Sequence, residues 1–171
     1  DINIGKGLVN KSGQIVAERN ISVNNKADNK DLLYAKNNIT IGKELNNTGN
    51  IQSNGSIKTG GNTTNTGKIL SEDELEINGK LTSSGTVYGK NKVDVKGNLD
   101  NNGDLQSEGN IIAKDTKNTG RIISDKNIEI SGNLKTEETV YAKENLNVTG
   151  NLVNKKDIQA EGNVTVGKDT I

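Results

Sequence analysis

Residues 99–113 read LDNNGDLQSEGNIIA, and residues 45–59 read LNNTGNIQSNGSIKT. Both place a leucine first, then asparagine, glycine, an aliphatic residue, a serine and a second aliphatic residue at the same offsets. Working outward from Leu105, an aliphatic anchor recurs at Ile15, Leu33, Ile51, Ile69, Val87, Leu105, Ile122, Val140 and Ile158. Each step is 18 residues except Leu105 to Ile122, which is 17. A period this short is the mark of a solenoid, in which each repeat is one structural unit stacked on the next.

Six residues past each anchor stands a second apolar column, from Ile21 through Ile57 and Val93 to Val164, and a third follows two residues later, from Val23 through Val95 to Val166. Alternation at a period of two is a strand signal, because successive side chains of a strand point to opposite faces. Two residues past the anchor the side chain is always small: Ala17, Ala35, Ser53, Ser71, Gly89, Ser107, Ser124, Ala142 and Ala160. A fourth column precedes the anchor by six: Leu45, Leu81, Leu99, Leu134 and Leu152, with Thr63 and Thr116 in two units. Leu8 joins it if the first turn holds one extra residue.

Three short strands per unit, with no helix-length apolar pattern, predict an all-β parallel β-helix of about nine rungs over residues 1–171, a single repeat segment. At a rise of roughly 4.8 Å per rung the rod is about 43 Å long. Asn10, Asn47, Asn65, Asn101, Asn118 and Asn154 recur at one offset, with Ser83 and Thr136 in the same column, which predicts a ladder of stacked side-chain amides. The next turn carries Gly13, Gly49, Gly67, Gly85, Gly103 and Gly120, read here as positions of positive φ. Glu138 and Lys156 depart from that column and predict different turns.

Composition sets the limits. Mean hydropathy is −0.72, and 29% of residues are apolar, a balance that suits a disordered tract. The fixed spacing of Ile, Leu and Val overrules that reading, because a solenoid needs only a thin inward column. Lys plus Arg and Asp plus Glu both total 22, so no net field draws in nucleic acid or an anionic membrane. Without Cys or His, thiolate and imidazole metal sites and the commonest general base are missing. The apolar runs are too short for a signal-peptide core or a membrane span. A chain lacking Met at position 1, with no capping unit at either end, is expected to be a segment of a longer rod.

A longer period lies over the short one. The outward residue just after each anchor reads Val16, Tyr34, Gln52, then Leu70, Tyr88, Gln106, then Ile123, Tyr141, Gln159, so aliphatic, Tyr and Gln repeat every three rungs. All three tyrosines of the chain are in this column. It is the candidate binding stripe, for a glycan, a partner protein or another copy of the rod. The competing explanation is duplication of a three-rung block, which carries the order along without a ligand. The outward column between the second and third apolar positions is mainly polar: Ser22, Thr40, Lys58, Glu76, Asp94, Ile112, Glu129, Asn147 and Thr165.

The two phrases quoted above resemble the haemagglutinin repeats of the filamentous haemagglutinin family, large two-partner-secreted exoproteins that include adhesins and contact-dependent growth inhibition effectors. The likeness runs over the whole chain. It implies a right-handed β-helical shaft, secreted to the bacterial cell surface, with an outer-membrane transporter as export partner and a host or bacterial surface receptor or glycan as target. Neither the secretion domain nor the toxin domain of that family is present in these residues.

Enzymes are the competing class, since polysaccharide lyases and hydrolases also use parallel β-helices, with clustered carboxylates in a groove. The acidic run Glu72, Asp73 and Glu74 is expected on a turn, and rungs of near-constant length leave no insertion to wall a cleft. No catalytic, metal or cofactor residue is assigned. Calcium-binding nonapeptides and the flat Thr arrays of ice-binding solenoids do not match the pattern.

Overall fold

The computed structural model describes Asp1–Ile171 as a β-solenoid without helices. Twenty-eight strands of three or four residues form three parallel sheets of 10, 9 and 9 strands. Every strand except those at the ends of the sheets pairs with its counterpart one rung before and one rung after, as Ile57–Thr59 does with Ile39–Ile41 and Glu74–Ile77. The first sheet carries the second and third apolar columns. The second carries the leucine and asparagine columns, and the third carries the anchors.

Short strands persist here because backbone pairing is supplied by adjacent rungs rather than by strand length. Turns of two to four residues join the sheets. Inside runs one core of 32 buried apolar residues, among them Leu33, Ile51, Ile69, Leu75 and Ile128. Two polar intrusions into this core cancel each other: the buried hydroxyls of Thr59 and Thr63, which replace aliphatic residues in adjacent columns, hydrogen-bond at 2.9 Å. The small serines past the anchors cap turn carbonyls of the preceding rung, Ser71 donating to Gly55 O at 2.8 Å and Ser124 to Gly109 O at 2.7 Å.

The amide ladder forms and includes Asn29, which the spacing argument passed over. Asn10 Nδ2 donates to Asn29 Oδ1 at 2.8 Å, Asn29 to Asn47 at 2.9 Å and Asn47 to Asn65 at 2.8 Å. The extra residue near the N-terminus lies in the turn between Leu8–Asn10 and Ile15–Ala17, and the register pairs Leu8 with Ala27.

One expectation is corrected. Of the turn glycines only Gly13, in that longer turn, has positive φ, at 87°. The others are required by close stacking: a Cβ on Gly67 would collide with Gly49 O, one on Gly85 with Gly67 O, and one on Gly103 with Gly85 O. Where Glu138 and Lys156 break the column, the following strands Val140–Ala142 and Ile158–Ala160 start one residue later than Asp104–Ser107 or Arg121–Ser124. In that turn Lys156 Nζ lies 2.8 Å from Glu138 Oε1, one rung below.

Candidate functional site

The stripe lies on the outer face of the third sheet, and its members are register neighbours without a break: Val16 with Tyr34, Tyr34 with Gln52, Gln52 with Leu70, and so on to Tyr141 with Gln159. Period-two alternation puts their side chains outward while the anchor before each and the small residue after it face inward, buried in the seven rungs from Leu33 to Val140. Val16 and Gln159 are exposed, and the seven between them are half-buried against their neighbours along the column.

A second column completes this surface. Two positions past each stripe residue come Glu18, Lys36, Asn54, then Glu72, Lys90, Glu108, then Asp125, Lys143, Glu161, again in three-rung blocks. Two of the tyrosines use it. Tyr88 donates its hydroxyl to Glu108 Oε1 at 2.8 Å, and Tyr141 to Glu161 Oε1 at 2.6 Å. Tyr34 has Asn54 at the corresponding position. Lys36 pairs with Glu18 at 3.5 Å and Lys90 with Glu72 at 3.9 Å. Each block therefore presents an aliphatic patch, a tyrosine, an amide with donor and acceptor, and a flanking acid–lysine pattern. This second column was visible in the sequence at the same period as the first.

Burial, and then the bond to Glu108, push the Tyr88 hydroxyl up to about 12, and the bond to Glu161 raises that of Tyr141. Both phenols stay neutral donors through the physiological range. The surface offers aromatic and amide contacts for a ligand.

The acidic run is a lattice of turn contacts, and Glu74 belongs to the strand Glu74–Ile77 rather than to the turn. Asp73 accepts from Ser56 Oγ at 2.7 Å and Asn91 Nδ2 at 2.8 Å, and these bonds hold its carboxyl below the usual carboxylate range. In the polar column of the first sheet, Asp94 is 4% exposed rather than solvated. Its Oδ2 lies 2.6 Å from Lys96 Nζ, and its buried Oδ1 has no partner. No group of acidic side chains is arranged to hold a metal ion, and no helix is long and apolar enough to cross a membrane.

Compared with family models, curated proteins and solved structures, the chain matches none.

Proposed function

We propose that these residues form a shaft segment of a large exported bacterial surface protein of the filamentous haemagglutinin kind, a stiff spacer that holds a receptor-binding or toxin region away from the cell. The observation that carries this reading is the regularity of the rungs. No turn exceeds four residues, so no loop is long enough to wall a substrate cleft, and consecutive sheets are continuous from end to end. A stack with nearest-neighbour contacts resists bending without a large core. The reading is non-enzymatic, with no cofactor, and has an outer-membrane transporter as export partner. The resemblance of the repeat phrase to that family supports secretion to the cell surface.

A second reading is favoured by one observation, the joint three-rung periodicity of the stripe and its flanking column. On that reading the segment is itself a glycan- or protein-binding module. Whole-cell and glycan-array binding by the folded 171-residue chain separates the two. The shaft reading expects no saturable binding that depends on the stripe. Saturable binding abolished by combining Tyr34→Ala, Tyr88→Ala and Tyr141→Ala, with the far-ultraviolet circular dichroism unchanged, would establish the binding module instead.

A further inference from the structure

Only one rung of the rod is shorter than the others, and three lysines stand beside its shortened corner. The turn between Asn110–Ala113 and Thr116–Asn118 has two residues, Lys114 and Asp115, where the same turn of every other rung has three. This is where the single 17-residue step is made. Beside it, on the outer face of the second sheet, lies a recess of about 370 Å³ lined by Lys80, Lys117 and Lys135 and also by Asp100 and Asp115.

Asp100, Lys117 and Lys135 are successive outward neighbours in the strand register. Lys117 and Lys135 thus stand directly opposite each other, about 4.8 Å apart along the rod axis at their backbones. Like charges so placed are destabilising unless something lies between them. Elsewhere the rod compensates. The like pair Glu76 and Asp94 is answered by Lys58 at 2.9 Å and Lys96 at 2.6 Å. Neither Lys117 nor Lys135 has a carboxylate oxygen within 4 Å: Asp100 contacts Lys80 at 3.6 Å, and Glu137, which both lysines attract from further off, contacts Lys155 at 3.0 Å. Asp115 Oδ1 accepts the backbone N–H of Asn133 at 2.8 Å.

We infer that the recess is an oxyanion site in which Lys117 and Lys135 clamp one carboxylate, sulfate or phosphate group, with Lys80 across the rim. A single oxyanion between the two ammonium groups replaces their repulsion with two charge-assisted hydrogen bonds. The group can be a free inorganic ion or one carried on an acidic polysaccharide. This site lies on a different sheet from the tyrosine stripe and does not depend on it.

The test is calorimetric titration of the full chain at fixed ionic strength with sodium sulfate, sodium phosphate, polygalacturonate and, as an uncharged control, dextran. Saturable binding of at least one anionic probe and none of dextran is expected. Binding by polygalacturonate alone identifies the carried group as the source. Lys117→Gln and Lys135→Gln should each weaken that binding about tenfold, whereas Lys126→Gln, outside the recess, should leave it unchanged. In the absence of anion, Lys135→Gln should raise the thermal midpoint, because it relieves the repulsion; a loss of binding with a raised midpoint is not a folding defect. Absence of saturable binding to every anion, or equal binding by the double variant, would overturn the assignment.

Discussion

From Asn10 to Asn65 the amide ladder runs without a gap, whereas from the next rung upward the stack carries faults. At Ser83 the ladder meets a side chain with a single proton. Asn65 Nδ2 donates to Ser83 Oγ at 3.2 Å, but Ser83 spends its own proton on Gly85 O at 3.3 Å. Asn101 Oδ1, next in line, is buried with no donor. All three buried side-chain oxygens without a partner, on Asp94, Asp100 and Asn101, fall in this one stretch, just before the shortened turn at Lys114–Asp115. Each rung touches only its neighbours, so a fault is neither shared nor repaired by distant parts of the rod. The same architecture that makes the lower half uniform leaves residues 94–118 as its weak section.

The largest effect expected from breaking this comparison is at the core. Val95→Asp places an unpaired charge among side chains with 1% exposure or less, and should cost about 3–5 kcal/mol in urea unfolding. A variant that unfolds like the parent would show that this column does not face inward. The ladder separates the two regions more finely. Asn47 donates to Gly49 O at 3.0 Å, Asn65 Oδ1 at 2.8 Å and Lys68 O at 3.0 Å, so Asn47→Ala should cost about 2–3 kcal/mol. Ser83→Ala, at the fault, should cost no more than about 1 kcal/mol, and Ser83→Asn should gain about 1 kcal/mol by giving Asn101 Oδ1 a donor. Equal losses for Asn47→Ala and Ser83→Ala would erase the distinction.

The smallest effect is one of pH. The Tyr88 phenol is raised in the folded rod, so the unfolded chain gives up that proton first as pH climbs. Its contribution to stability is whole below about pH 10 and is lost as pH rises toward about 12. Tyr88→Phe should flatten the alkaline fall in the thermal midpoint, and an unchanged fall would contradict this assignment.

Most of the fold could be read from spacing because a rung has few ways to be built. Anchors such as Ile51 and Leu105, the strand pairs such as Val93 and Val95, and the asparagine column each repeat at a period that only stacking explains. What spacing could not supply was the cause behind some columns. Gly67 looks the same in sequence whether it serves a positive φ or makes room for the carbonyl of Gly49, and only the stacked backbones distinguish the two. The turn asparagines form further ladders that were passed over, as where Asn127 Oδ1 accepts Asn145 N at 3.1 Å, because Asn is also common in turns for local reasons.

The candidate surfaces divide in the same way. The tyrosine stripe was legible because its members share one offset. Its partners Glu108 and Glu161 needed the neighbouring rung to be placed beside each tyrosine. The opposition of Lys117 and Lys135 was legible too, since each follows the leucine-column positions Thr116 and Leu134 by one residue, 18 apart; what needed the stacked strands was the lack of an ion pair at either lysine.

Hydrogen–deuterium exchange along the intact chain, read residue by residue, tests the linear-stack account most directly. The account predicts strong and even amide protection from Leu33 to Ile77, fraying at both ends, and an internal minimum within residues 94–118 that Ser83→Asn makes shallower. One uniform opening energy from end to end, or an internal minimum in the lower rungs, would contradict it.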